Sequence, residues 1–237
     1  MSFPPTRLSV VARVRSEDAD TRRVAHEALV EAYWKPIYKY LRLKWHLSPD
    51  AAADATQEFF LSLLERDLVG RYDAGRARFR TYLRLCLDGF VANQQKAERR
   101  IKRGGGITTV PLDFTTAEGE LVRIEPSIPA DVDDLFYREW VRALFDRAVA
   151  DLRADAETRN RQVMFEVFVR YDLADAATRP SYDEIGVALG LPTTTVTNHL
   201  AAMRRQFRAI VLDRLREITG SDDEWEAEAR RLLRGDW

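Results

Sequence analysis

The sequence predicts an all-α fold in which two helical domains are joined by a flexible acidic linker. Helices should dominate, because glycine (11 residues) and proline (9 residues) are sparse among 237 residues. Apolar residues recur at spacings of three and four over residues 21–103 and again over 135–217, which is typical of buried helical faces. The segment between them, 104–134, holds three prolines and many acids without a sustained period, and therefore predicts a linker.

Composition indicates a soluble protein of the cytoplasm. Hydrophobic residues make up 46% of the chain and charged residues 32%. No stretch approaches the eighteen apolar residues of a membrane span, and residues 1–9 lack the apolar core of a signal peptide. The single cysteine, Cys86, excludes an internal disulfide and a zinc site built on cysteines, and it fits a reducing compartment.

The first helical block, 21–103, follows an N-terminal extension of residues 1–20 and divides into three predicted helices. The second of them begins at Ser48, whose hydroxyl can cap the free N–H groups, with Pro49 in the first helical position. The third extends from about Arg78 to Arg103 and is ended by three glycines.

Charge is distributed unevenly, although the net charge is only -1. Residues 71–103 hold ten lysines and arginines against three acids, whereas residues 104–140 hold eight acids against two arginines. A basic helix followed by an acidic segment is a pattern found in nucleic-acid-binding proteins. A solvated helix face beside a solvated loop has the same composition, so the pattern alone does not decide.

The most informative local pattern, residues 180–200, is typical of a helix-turn-helix. Ser181 and Glu184 predict a capping box at the start of a short helix, and Gly190 supplies the left-handed residue that ends it. The next helix has no acid from Thr193 to Arg208, so its outer face suits base edges and phosphates. An ordinary helical hairpin would not require such a face on one helix only. The candidate DNA-contacting residues are Thr194, Thr195, Thr197, Asn198, Arg204 and Arg205.

The acidic C-terminal tail, residues 218–237, contains a predicted helix with Trp225, Leu232 and Leu233 on its apolar side. Three roles for it stay open: packing against the second domain, binding a partner, or holding the two domains together in an inactive form.

These patterns resemble the RNA polymerase sigma factors of the sigma-70 family, and within it the extracytoplasmic-function type. Residues 52–64, in which an acid and Gln57-Glu58 precede an apolar run, resemble the helix by which these factors bind core polymerase. Phe79-Arg80-Thr81-Tyr82-Leu83 resembles the start of the helix that reads the minus-ten element. The resemblance implies that residues 21–103 are sigma domain two and that residues 135–217 are sigma domain four.

The resemblance also implies partners and site residues. The partners are core RNA polymerase and promoter DNA, with minus-ten bases captured from melted DNA and the minus-thirty-five element read as duplex. The implied polymerase contacts are Asp54, Gln57, Glu58, Phe60 and Leu61. The implied minus-ten contacts are Arg78, Arg80, Tyr82, Arg84, Asn93, Lys96, Arg99 and Arg100.

The chain departs from the family pattern at two places. Typical members begin the polymerase-binding helix with Asp-Ala-Glu-Asp, whereas residues 51–54 are Ala-Ala-Ala-Asp, so two acids are missing. A phosphate on Thr56 would add roughly -1.5 to -2 charges. This pattern resembles a subgroup associated with Ser/Thr kinases, and our hypothesis is that Thr56 phosphorylation switches the protein on. Asp88-Gly89 replaces the common Arg-Asn, and Gly89 predicts a kink or a close approach within its helix.

Other classes of protein fit the sequence less well. A helix-turn-helix regulator that is not a sigma factor, with a helical sensory or partner-binding N-terminal domain, is the main alternative. For the sigma-factor interpretation itself, an anti-sigma factor is a further candidate partner. An enzyme is disfavoured because the three histidines are scattered and no glycine-rich phosphate loop follows a strand, so no cofactor or metal is expected. A protein-interaction adaptor would leave the acid-free helix face unexplained.

Overall fold

The computed structural model describes residues 10–98, 112–123 and 132–234, and every regular element in these ranges is an α-helix. The all-α prediction is therefore confirmed. None of the helices in these ranges has the length and apolar character needed to cross a membrane. The helices are α1 Val10–Val14, α2 Ala19–Lys44, α3 Pro49–Glu65, α4 Phe79–Glu98, α5 Phe114–Arg123, α6 Val132–Thr158, α7 Gln162–Asp172, α8 Tyr182–Leu189, α9 Thr193–Ile218 and α10 Asp222–Arg234.

The helices form two compact units whose division differs from the predicted domain boundaries. Unit 1 comprises residues 1–143 and 215–237, and unit 2 comprises residues 144–214. The first part of α6, the last residues of α9 and the whole of α10 therefore belong to unit 1. The acidic tail, predicted as a separate segment, is part of the first compact unit.

The core of unit 1 is built around α2, which contacts α1, α3 and α5. Tyr33 is fully buried, its ring centroid lies 6.0 Å from that of Phe79 in α4, and its hydroxyl donates to the carbonyl of Ile218 at 3.1 Å. The predicted start of α3 is confirmed, since the Ser48 side chain accepts from the N–H of Ala51 at 3.2 Å. Residues 99–103, the predicted end of the third helix, lie outside the described residues.

Residues 114–123 of the predicted flexible linker form the helix α5, which packs on α2. Phe114 places its ring 5.1 Å from that of Tyr38, and the two oxygens of Glu118 accept from Arg42 at 2.6 and 3.0 Å. Glu120 accepts from lysines of α2. The linker prediction is wrong over this stretch, because its acids meet cations of α2 that lie far away in the sequence.

Unit 2 contains two apolar clusters that hold α6 to α9 together. One cluster joins α6, α7 and α9 through Leu152, Phe168 and Met203. The second cluster joins α7, α8 and α9, and it sets the angle of the helix pair that carries the candidate DNA-contacting face. Its buried members are Val167, Ile185, Val196 and Leu200.

Candidate nucleic-acid interface

The pair α8–α9 has the local geometry of a helix-turn-helix. The Ser181 hydroxyl accepts from the N–H of Glu184 at 3.2 Å, and the Glu184 carboxylate accepts from the N–H of Ser181 at 2.7 Å. The predicted capping box is thus present. The hydrogen bonds that the N–H and the hydroxyl of Ser181 donate to the Glu184 carboxylate lower the pKa of Glu184. Gly190 ends α8 in the left-handed conformation, with φ 67° and ψ 34°.

The turn between α8 and α9 also requires a second glycine. The N–H of Leu191 donates to the carbonyl of Gly186 at 2.8 Å, and a Cβ atom on Gly186 would lie 2.7 Å from the carbonyl oxygen of Leu191. Thr193, the first residue of α9, donates its hydroxyl to Asp183 of α8 at 2.6 Å. These contacts fix where α9 begins relative to α8.

The outer face of α9 presents most of the predicted DNA-contacting residues to solvent. Thr194, Asn198 and Arg205 are exposed, and Arg205 forms no ion pair within the described part of the chain. Thr197 is exposed and its hydroxyl donates to the carbonyl of Thr193 at 3.0 Å, whereas Thr195 is half-buried. The face therefore combines short polar side chains with an available guanidinium group.

Arg204 differs from its neighbour because it is held by a carboxylate within unit 2. Its guanidinium donates to the two oxygens of Asp172 at 2.7 and 2.9 Å and lies 5.5 Å from the ring centroid of Tyr171. The hydrogen bonds with Asp172 raise the pKa of Arg204. A contact between Arg204 and DNA would have to share this guanidinium with Asp172.

In unit 1, Arg78 and Arg80 are paired with the C-terminal helix. Glu228 of α10 is fully buried, and its Oε1 atom accepts from Arg78 at 2.6 Å and also from Arg80. The Arg80 side chain is only 10% exposed and lies over the rings of Tyr137 and Trp140, at 4.6 and 5.4 Å from their centroids. Both arginines are implied minus-ten contacts, whereas the structure pairs them with a buried acid.

The other predicted minus-ten residues within the described ranges also differ in exposure. Tyr82 is half-buried and donates to the carbonyl of Leu68 at 2.6 Å. Arg84 is half-buried and donates to Asp88 at 3.1 Å, while Asn93 is exposed. The Lys96 side chain and residues Arg99 and Arg100 lie outside the described residues.

Asp88 and Gly89, the second departure from the family pattern, have separate explanations. Asp88 accepts from Lys44 at 3.0 Å, from Trp45 at 3.1 Å and from Tyr40 at 3.1 Å, so it ties the end of α2 to α4. Gly89 lies in the interior of α4, and a Cβ atom there would meet no described heavy atom within 4 Å. The predicted close approach at Gly89 is therefore absent in the described structure.

The predicted polymerase-binding residues divide between the two faces of α3. Asp54 and Glu58 are exposed, and Glu58 accepts from Gln94 of α4. Gln57 and Leu61 are half-buried. Phe60 is only 5% exposed and belongs to the core, so it can support this face but does not present its ring on it.

Thr56 lies on the inner face of α3. It is fully buried, and its hydroxyl donates to the carbonyl of Ala52 at 2.7 Å. A kinase requires an exposed hydroxyl in a segment that can enter its active site. The structure thus disagrees with the proposed phosphorylation of Thr56, because the helix period turns this residue towards the core.

Sequence reasoning missed four residues around α4: Glu224, Glu228, Tyr137 and Arg231. The only available signal was the period of α10, which places Glu224 and Glu228 one turn apart beside apolar positions. In the described ranges, no group of three or more His, Cys, Asp or Glu residues is arranged to hold a metal ion.

Comparison of the chain with protein-family models finds no match. Neither curated proteins nor solved structures show a significant similarity to it.

Proposed function

We propose that this chain is an RNA polymerase sigma factor that binds core polymerase in the cytoplasm and directs promoter-specific initiation of transcription. The observation that supports it most is the helix-turn-helix of unit 2, whose second helix carries an exposed, acid-free outer face. A helix of this kind enters the major groove with its N-terminal residues at the base edges. Asn198 then contacts bases and Arg205 contacts phosphate or guanine.

The exposed face of α3 supports the polymerase-binding part of the proposal. Asp54 and Glu58 lie one turn apart on this face, and both are exposed. They suit a basic partner surface, while Leu61 on the same helix is half-buried and offers some apolar area. Phosphorylation of Thr56 forms no part of the proposal, because that hydroxyl is buried.

A helix-turn-helix regulator that does not bind polymerase in this way is the second candidate. Arg78, Arg80 and Arg84 favour it, because each is engaged by a carboxylate of unit 1. In that case unit 1 serves as a partner-binding or sensory unit, and only α9 contacts DNA.

Two measurements on the full chain separate these candidates. The first selects duplex sites from a random library and compares the affinities of the wild type, Asn198→Ala and Gln162→Ala. Gln162 is an exposed amide of the same unit outside α9. Asn198→Ala should lose about 1–3 kcal/mol at one base pair, and Gln162→Ala should bind as the wild type does.

The second measurement is the affinity for core RNA polymerase. The double variant Asp54→Lys/Glu58→Lys should weaken binding, whereas Asp20→Lys, a charge change at a side chain that is 90% exposed in α2, should not. DNA selection without polymerase binding would establish the regulator instead. A chain that selects no duplex and binds no polymerase would contradict both candidates.

A further inference from the structure

A cleft in unit 1 brings together arginines from two distant parts of the sequence. It has a volume of about 310 Å³ and opens beside the start of α4. Arg78, Arg80 and Arg84 line it from that region, Tyr137 lines it from α6, and Arg231 lines it from α10. Only the fold creates this cluster, since Arg231 lies in the acidic tail.

The carboxylates near the cleft are shared among its cations. Glu228 is shared, because a single one of its oxygens accepts from both Arg78 and Arg80. Asp88, the partner of Arg84, is shared with Lys44. Asp134, also at the cleft, is exposed. Of the arginines that line the cleft, Arg231 has no carboxylate partner among the described residues, and its charge favours an anion there.

The guanidinium groups are held in place before any ligand arrives. Arg231 lies over the ring of Tyr137, with its Cζ atom 3.8 Å from the ring centroid, and it forms no ion pair in the described ranges. Arg80 lies over the same ring at 4.6 Å and is 10% exposed at its side chain. A cation fixed by an aromatic ring and a buried acid loses little conformational entropy when it binds a ligand.

We propose that this cleft binds a phosphate group, and that Arg231 of α10 completes the site. A guanidinium has five N–H donors, and a phosphate has several oxygens that accept charge-assisted hydrogen bonds from more than one guanidinium. Tyr137 is only 5% exposed, because arginines already cover it, so the cleft binds phosphate and does not stack bases. The phosphate is that of a single nucleic-acid strand, or that of a small phosphorylated ligand.

With a nucleic-acid strand as ligand, the inference rests on the proposed function and extends it. The C-terminal helix is then part of the strand-binding surface, and Glu228 positions Arg78 and Arg80 towards the same phosphate. The strand would be held through its backbone without regard to sequence.

The test compares Arg231→Ala with Arg230→Ala in the full chain. Arg230 is the neighbouring residue of α10, is 67% exposed and pairs with Glu226 at 2.6 Å, so its loss removes the same charge outside the cleft. One probe is a fluorescently labelled single-stranded DNA, followed by anisotropy at several salt concentrations. The other probe is inorganic pyrophosphate, followed by titration calorimetry.

Arg231→Ala should weaken single-strand binding about tenfold and reduce the salt slope by about 0.7, the value expected for one phosphate contact. The single-strand affinity of Arg230→Ala should stay within about twofold of that of the wild type. The affinity of both variants for duplex DNA bound through α9 should also stay within about twofold. Arg231→Lys keeps the charge but loses the planar guanidinium group, so its single-strand affinity should lie between those of the two alanine variants. Circular dichroism establishes that each variant is folded. Where an alanine variant is not folded, the glutamine variant of the same residue, Arg231→Gln or Arg230→Gln, replaces it.

The outcomes distinguish failure of the cleft proposal from failure of the proposed function. If the wild type binds pyrophosphate through Arg231 but binds no DNA, the cleft proposal survives with a small phosphorylated molecule as the ligand, and the proposed function fails. If DNA binds and the two alanine variants bind both probes alike, the proposed function stands and the cleft proposal is overturned. Binding of neither probe overturns it as well.

Discussion

Two glycines of this chain differ in whether the surrounding structure leaves room for a Cβ atom. A Cβ atom on Gly186 would lie 2.7 Å from the carbonyl oxygen of Leu191, whereas Gly89 has no described heavy atom within 4 Å of that position. We expect Gly186→Ala to lower the free energy of unfolding by about 1–3 kcal/mol, since backbone must move. Gly89→Ala should raise it by about 1 kcal/mol, because alanine is the better helix former. Urea unfolding of both variants measures the difference, and equal effects would contradict the turn geometry.

Substitution at Thr56 should report burial and not regulation. Thr56→Glu places a carboxylate where the side chain is fully buried and only a backbone carbonyl is bonded. The cost should be several kcal/mol, so the variant should unfold earlier than Thr56→Ser, which keeps the hydroxyl. Thermal unfolding compares the two. If Thr56→Glu were as stable as the wild type and bound core polymerase more tightly, the switch hypothesis would return.

At the scale of single elements, a buried lysine of α2 pairs with acids of both α5 and α6. The Nζ atom of Lys39 lies 2.5 Å from Glu139 and 2.7 Å from Glu120, and its side chain is 1% exposed. Lys39→Met leaves the buried Glu139 without this partner and should cost about 3–5 kcal/mol. Lys35→Met removes a more exposed lysine, 2.9 Å from Glu120, and should cost about 1 kcal/mol or less. Similar unfolding midpoints in urea for the two variants would show that the buried pair is unimportant.

The junction of α10 with α4 should make stability depend on pH. Burial raises the pKa of Glu224, although hydrogen bonds from the N–H groups of Gly220 and Phe79 act in the opposite direction. The folded state therefore holds a proton more tightly than the unfolded chain does. The stability that this proton contributes is complete below the ordinary glutamate pKa and is lost as pH rises through the raised value.

We expect the wild type to lose stability across that interval relative to Glu224→Gln, which cannot titrate. Urea midpoints measured from about pH 4 to about pH 7 give the difference between the two proteins. Glu226→Gln, on the same helix with its side chain 54% exposed, is the matched control and should follow the wild-type profile. A constant difference between wild type and Glu224→Gln at every pH would rule out this titration.

Helices whose signals are local could be predicted from the sequence, and contacts between distant segments could not. Ser181, Glu184 and Gly190 act on backbone groups a few residues away, so α8 and its turn follow from the local pattern. The pair of Glu118 with Arg42 spans 76 residues and that of Glu228 with Arg80 spans 148. Charge counts within one segment do not include such distant partners. They therefore predict a linker at α5 and a cation free to contact DNA at Arg80.

In the molecule as a whole, the C-terminal helix α10 belongs to the compact unit that contains the first helices of the chain. Ala229 and Leu232 of α10 are buried, and Glu228 is fully buried against Arg78 and Arg80. An appended tail would instead keep its acids in water. Residues 222–234 should therefore contribute to the folding of unit 1, whatever ligand the arginine cleft binds.

Truncation of the chain after Gly220 tests this assignment. The loss of Glu224 removes the acceptor of the Phe79 N–H, and the loss of Glu228 leaves Arg80 buried without its carboxylate, at a cost of about 3–5 kcal/mol. Hydrogen exchange should accelerate in the first turns of α4 and in the middle of α2, because Tyr33 packs against Phe79. Exchange in α8 and in the first half of α9, which belong to unit 2, serves as the internal reference and should stay unchanged. If α4 keeps its protection after truncation, α10 is an appendage and the arginines of the cleft are organised by the rest of unit 1.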